Sequence, residues 1–218
     1  MRVAIAGGHG QIALRLARVL AARGDEAVGL IRNPDHADDV RQAGAEPAVV
    51  DLEHASEDEV AQAVQRADAV VFAAGAGPGS GAARKDTMDY GGAVKLIEAA
   101  KRAGIDRYVI VSSMGADADA GGDDTFAVYL RAKGRADDAV RASGLDYTVI
   151  RPGGLTDDPG TGQVNLGSDV PRGSVPRDDV AEVLAAVLHA PGTSGKTADL
   201  IGGDVPVAEA VEALYWIH

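Results

Sequence analysis

Tyr129-Leu130-Arg131-Ala132-Lys133 sets a phenol and an ammonium one helical turn apart, on a single face and close enough to serve one site. A phenol with an ordinary pKa of about 10 is a poor proton donor at neutral pH, and a neighbouring cation stabilises the phenolate left behind. With five tyrosines and five lysines in 218 residues, this spacing arises by chance about 0.1 times per chain. Ser112 and Ser113 follow the apolar run Tyr108-Val109-Ile110-Val111. A hydroxyl at such a strand end can hold and orient a carbonyl oxygen. The expected constellation is Tyr129 as proton donor, Lys133 as its partner and Ser113 as the orienting hydroxyl. Ser112 lies beside the cofactor or takes the orienting role itself. The inert alternative is a Ser-rich turn beside a half-buried tyrosine.

Protonating an oxygen is useful if electrons arrive at the adjacent carbon, and the other end of the chain supplies a place for their carrier. Val3-Ala4-Ile5-Ala6 runs into Gly7-Gly8-His9-Gly10, and Gln11 and Ile12 then open an amphipathic helix. A phosphate pair must approach backbone where strand gives way to helix, so side chains must be absent and amides free. The spacing Gly7-x-x-Gly10-x-x-Ala13, also readable as Gly8-x-Gly10-x-x-Ala13, is weak alone. It gains force from lying after a strand and opening a helix. The second strand closes on Leu30-Ile31-Arg32-Asn33. An NAD site places a carboxylate there for the ribose hydroxyls, whereas a guanidinium pairs with a 2′-phosphate and stacks on adenine. Arg32 therefore predicts NADP(H) in preference to NAD(H), a merely exposed arginine being the alternative. Asp51 and Leu52, after the third strand, are expected to frame the adenine. Ala73, Ala74 and Gly75, after the fourth, let ribose and pyrophosphate lie against backbone. Lys133 is also expected to hold the hydroxyls of the nicotinamide ribose.

The elements that must position these residues repeat. Arg23-Gly24, Ala43-Gly44, Ala103-Gly104 and Ser143-Gly144 each precede a short apolar run. Each glycine suits a left-handed helix C-terminus, and each run suits a strand. Ala69-Val70-Val71-Phe72-Ala73 and Tyr108-Val109-Ile110-Val111 are continuously apolar, as in parallel strands covered on both faces. Ile12, Leu16, Val19 and Leu20 share one helix face, Val94 and Ile97 begin another such stripe, and Ser56 with Glu59 forms a capping box. The predicted fold is α/β: a doubly wound Rossmann fold with a central, mostly parallel sheet flanked by helices on both faces. It forms one domain over 1–218, with a small substrate-bordering region at about 153–176. In that Gly- and Pro-rich stretch only Gln163–Leu166 reads as a strand. A helix from about Asp178 to His189, a strand at Thr197–Ile201 and a helix from Val207 complete the chain.

Composition narrows the partners. The chain has 46% hydrophobic and 25% charged residues, a net charge of −12 and no cysteine. Thiolate catalysis and Cys-ligated zinc are excluded, the scattered histidines offer no ligand pair, and no metal is expected. The acidity disfavours nucleic acid, which requires a basic face. No segment has the apolar length of a bilayer span and the start lacks a secretory h-region, so no membrane partner and a cytoplasmic location are expected.

On Gly7-Gly8-His9-Gly10-Gln11-Ile12-Ala13, Val50-Asp51-Leu52, Val111-Ser112-Ser113, Tyr129-x-x-x-Lys133 and Arg151-Pro152-Gly153-Gly154, the chain resembles the short-chain dehydrogenase/reductase superfamily over nearly its whole length. The resemblance is to the atypical branch of small NAD(P)H-binding, NmrA-like and biliverdin-reductase-like proteins. It implies Tyr129 as general acid/base and places Pro152 and Gly153 against the nicotinamide. Where the superfamily's classical branch keeps an asparagine, this chain reads Asp86-Thr87-Met88-Asp89-Tyr90-Gly91. The expectation is an NADPH-dependent oxidoreductase passing hydride to a small carbonyl or quinone-like acceptor. The alternatives are an NADPH-binding redox sensor without catalysis and a nucleotide-sugar epimerase or dehydratase, which needs a larger substrate lobe. The state is monomer or homodimer. A dimer would pair helices Thr87–Ala103 and Phe126–Ser143, on which Lys95, Arg102, Arg131 and Asp138 equally fit a solvated face.

Overall fold

The strand runs become parallel strands because both faces of each are covered, which favours apolar side chains at the centre of the sheet. The computed structural model describes residues 1–77 and 79–216. In it β1 (Arg2–Ala6), β2 (Glu26–Ile31), β3 (Ala45–Val49), β4 (Ala69–Phe72), β5 (Arg107–Val111) and β6 (Asp146–Pro152) follow the expected runs. Every residue of β4 and β5 is buried. After them come β7 (Gly154–Thr156), β8 (Gln163–Gly167), β9 (Ser174–Pro176), β10 (Lys196–Gly202) and β11 (Val205–Pro206). Nine strands form one sheet in the order β11-β8-β10-β6-β5-β4-β1-β2-β3. All pairs from β3 to β10 are parallel, and β8 pairs antiparallel with both β10 and β11.

The helices are α1 (Gln11–Ala22), α2 (Ala37–Gln42), α3 (Glu57–Val64), α4 (Ala82–Arg84), α5 (Ala93–Ala103), α6 (Thr125–Arg141), α7 (Arg177–Leu188) and α8 (Val207–Ala213). The alternation of each strand sorts them into two layers. Val3 and Ile5 join Leu16, Leu20, Val180 and Leu184 on the face of α1 and α7. Ala4 and Ala6 join Val60, Leu96, Ala136 and Val140 on the face of α3, α5 and α6. Strand order reverses between β1 and β4, and this switch point opens the crevice in which open α/β sheets bind ligands. Among the described residues no helix is long and apolar enough to cross a membrane.

Local signals carried through. Gly24, Gly44, Gly104 and Gly144 all have φ between 71° and 87°, and Ser56 and Glu59 form the reciprocal capping box. Two segments differ from expectation. The helix predicted to begin at Thr87 begins at Ala82, and Lys85–Gly92 winds as a π-helix before α5. Gly92 permits the wide turn, since a Cβ there would lie 3.1 Å from Met88 Sδ and 3.4 Å from the Phe72 ring. The region 153–176 is also more ordered than its composition suggests. Beyond β8 it holds a parallel pair, Gly154↔Ser174 through Thr156↔Pro176, in which Leu155 and Val175 are paired. Of the four charges read as solvated, Lys95 and Arg131 are half-buried and donate to backbone, Lys95 to Glu53 and Ala55, Arg131 to Ala120 and Gly122.

Gly134 in α6 lies under the loop after β5, where a Cβ would sit 2.2 Å from both Ala118 N and Asp117 C. Alanine is the better helix former, yet Gly134→Ala is expected to destabilise by about 2 kcal/mol or more because backbone must move. A denaturant midpoint equal to wild type would contradict this packing. A second expectation concerns acid. Burial raises the Asp25 carboxyl, but hydrogen bonds from the N-terminal ammonium and His189 outweigh it and hold the group below its ordinary value of 3.8. Such a group stabilises the fold above its unfolded pKa and stops doing so as pH falls through the lower folded value. Asp25→Asn should therefore be less stable than wild type at pH 7, and the two melting temperatures should converge below about pH 4.

Candidate active site

At the carboxyl edge of the sheet two contiguous cavities meet over Ala73, Ala74, Gly75 and Gly77. The first, about 420 Å³, lies over β1 and β2 and is lined by Gly7, His9, Gly10, Arg32, Asn33, His36, Asp51, Leu52 and Arg84 among others. The second, about 760 Å³, lies between the loop after β4, the end of β5 and α6. It is lined among others by Ile12, Ser112, Tyr129 and Lys133.

The first cavity exists because backbone approaches backbone there. Gly7 has φ +78°, and a Cβ on it would lie 2.7 Å from Ala74 Cα. Gly10 precedes α1 without a side-chain cap, and the first turn of α1 carries no acidic residue. Its amides are left to an anion, so the turn fits a dinucleotide pyrophosphate. At the other end Arg32 is largely exposed and lies 3.4 Å from Glu53. Glu53 also accepts from Arg84 at 3.0 Å and from Thr87 at 2.9 Å, and so sets two guanidinium groups side by side. Burial raises the Glu53 carboxyl, and Arg84 and Thr87 more than reverse this. Asp51 accepts from the Glu53 amide and from His54, and is likewise held low against its burial. The rings of His9 and His36 stack with centroids 3.7 Å apart, and His9 Nε2 lies 2.8 Å from Asp39.

In the second cavity α6 presents Tyr129 and Lys133 on one face. Lys133 is 4% exposed. Its Nζ donates to Val111 O at 3.1 Å and stands 3.3 Å from Asp89 Oδ1. Asp89, 1% exposed, accepts from the Ala76 amide through Oδ2. Gly75 is where it is because a Cβ there would lie 3.0 Å from Asp89 Oδ1. Lys133 Nζ lies 5.9 Å from the Tyr129 ring centroid, and Lys85 Nζ lies 5.3 Å from it. Ser112 Oγ is buried without an aligned partner. Behind it burial pushes the Asp137 carboxyl up, opposed by the Ser112 hydroxyl and by Arg151.

The structure thus brings together Gly7, His9, Gly10, Arg32, Asp51 and Leu52 around the first cavity, Ile12, Ser112, Tyr129 and Lys133 around the second, and Ala73, Ala74 and Gly75 between them. Five predicted residues line neither. Gly8 is wedged under the turn, where a Cβ would lie 2.6 Å from Gly29 Cα, so its lack of a side chain serves helix–strand packing. Gln11 is exposed at the start of α1. Ser113 turns its hydroxyl to Met114 O at 3.4 Å, and of the two serines Ser112 is the one that lines the cavity. Pro152 and Gly153 join β6 to the small sheet, a Cβ on Gly153 falling 2.3 Å from Gly173 O. Leu155 reaches the cavity from that side. Sequence reasoning missed Glu53, Arg84, Lys85 and Asp89. Only Asp89 left a signal, as a polar residue in the stretch where the classical asparagine is absent. Among the described residues no cluster of three potential metal ligands occurs.

Comparison with known proteins identifies the family. A family described as NAD(P)H-binding matches residues 7–191. An uncharacterized sugar epimerase, YhfK of Bacillus subtilis, is 39% identical over 98% of this chain and 100% of its own. A putative NAD-dependent epimerase/dehydratase from Bacillus halodurans superposes with a TM-score of 0.90 at 39% identity, over 98% of this chain and 99% of the other. ChuY, an anaerobilin reductase from Escherichia coli O157:H7, superposes with a TM-score of 0.77 at 26% identity, over 94% and 98%. These neighbours accord with the atypical short-chain dehydrogenase/reductase resemblance. The chain belongs to the NAD(P)H-binding family.

Proposed function

We propose that the protein is an NADPH-dependent reductase of a carbonyl or quinone-like compound, with Tyr129 as the acid. The carrying observation is the convergence of Tyr129, Lys133 and Ser112 in one cavity that continues into the dinucleotide groove. When bound, the reduced dinucleotide supplies hydride. Ser112 orients the acceptor oxygen, Tyr129 gives that oxygen its phenolic proton and regains one from solvent, and Lys133 stabilises the phenolate. Val111 O accepts from the ammonium and Asp89 stands beside it as the counter-charge, with donor capacity remaining for the ribose hydroxyls. Arg32, Asn33 and His36 receive the 2′-phosphate, with Arg84 alongside.

The epimerase named among the relatives is the second reading. Ile12, Val111, Phe126 and Leu155 give part of the wall an apolar face suited to a flat apolar acceptor, beside the polar Ser80, Ser112, Thr125 and Tyr129. A sensor that binds NADPH without turnover has no use for a phenol poised between two ammonium groups.

NADPH absorbance followed at neutral pH with quinones, aldehydes, ketones and flavins should fall with wild type. Tyr129→Phe should lose about 100-fold or more in kcat, and equal rates in the two proteins would refute the acid role. For the cofactor, Arg32→Ala should bind NADPH about 10-fold more weakly and NADH unchanged, because only a charged hydrogen bond to the 2′-phosphate is lost. An equal loss for both dinucleotides, read by fluorescence titration, would remove the basis for NADPH preference.

A further inference from the structure

The second cavity contains a cation that reduction of a neutral carbonyl does not use. Lys85 is 9% exposed on the π-helical segment and lines this cavity. Its Nζ has one hydrogen bond, to Gly77 O at 3.0 Å, and stands 5.3 Å from the Tyr129 ring centroid. Among the described residues no carboxylate lies within the 4.0 Å reach of an ion pair. The carboxylate lining the cavity, Asp89, is engaged by Lys133. Two ammonium groups therefore share one carboxylate, and the cavity carries one uncompensated positive charge.

An ammonium that makes one hydrogen bond to the protein turns its other two donors to the cavity, where an anion can take them. Lys85 does not border the dinucleotide groove, although its neighbour Arg84 does, so the cofactor phosphates do not account for it. The walls combine apolar side chains, Phe126 and Leu155 exposed at the rim and Val111 inside, with the polar Ser80, Ser112 and Thr125. We propose that Lys85 receives a carboxylate of the substrate, whose flat apolar body lies along Tyr129, Phe126 and Leu155. With Lys133 engaged by Asp89, the one ammonium of Lys85 balances the single charge of a carboxylate and would leave a phosphate dianion half compensated. This assignment rests on the cavity being the substrate site of the proposed reductase. It narrows that substrate to an apolar carbonyl or quinone compound bearing a carboxylate.

The test is calorimetric, on protein saturated with NADP⁺, using 2-naphthoate and its neutral methyl ester as probes. Wild type should bind the carboxylate at least about 10-fold more tightly than the ester, and Lys85→Met should bind the two alike. The affinity of the variant for NADPH and its circular dichroism should match wild type, which separates loss of the anion site from loss of fold. The comparison of the two probes on wild type needs no variant at all. Equal binding of acid and ester by wild type, failure of the acid to bind, or a preference that survives in Lys85→Met would overturn the proposal. A carboxylate preference in a protein that never oxidises NADPH would leave the anion site standing and overturn the reductase. Oxidation that is as fast with neutral quinones as with their carboxylated counterparts would do the reverse.

Discussion

Asp89 links the loop after β4, α6 and, through Lys133, the end of β5 around the second cavity. Its carboxylate reaches the Ala76 amide in the loop after β4 and the Lys133 ammonium on α6, and Lys133 in turn reaches Val111 O at the end of β5. A buried pair of this kind adds little net stability, but removing one partner strands a charge and costs about 3–5 kcal/mol. The pair thus acts as a register pin. It holds the helix carrying Tyr129 at a set height over the strand carrying Ser112, and the π-helical winding is what turns Asp89 inward. π-Helical turns are often found at such functional points.

The two cavities divide the electrostatic work. The dinucleotide side places arginines and histidines beside two carboxylates held low, so its cations are oriented before a ligand arrives. Prior orientation removes side-chain entropy cost from binding. The substrate side has few charges, buried and set in apolar walls, where each is felt more strongly because the local dielectric is low. A proton donor beside two ammonium groups in such surroundings is suited to the moment when an oxygen gains electrons and needs a proton.

Close approach of backbone to backbone is the second structural theme. Gly7 against Ala74, Gly8 against Gly29 and Gly134 against Asp117 and Ala118 are places where a methyl group would overlap main chain. The first two bring β1, β2 and β4 near enough for a thin dinucleotide groove. The third clamps the loop after β5 onto α6, adjacent to Lys133. The abundance of glycine in this chain is thereby a feature of its site as much as of its turns.

Whatever depends on neighbours within a few residues could be read in the sequence. The strand–turn–helix at Gly7–Gly10, the left-handed helix ends at Gly24 and Gly104, the capping box at Ser56 and Glu59, and the shared face of Tyr129 and Lys133 all follow from local sterics and helical period. What required the tertiary structure lies across crossovers. Glu53 meets Arg84 and Asp89 meets Lys133 only after parallel strands have been laid side by side. Whether Ser112 or Ser113 faces the cavity depends on the pleat of β5 in its final register. Pro152 and Gly153 line neither cavity and instead lead into a small sheet whose strands are separated by β8. Sequence spacing determines which backbone conformations are accessible and which side chains share a face. Pairing between distant charges is decided by packing, because the chain brings them together for the burial of apolar surface and their interaction is a consequence of that burial.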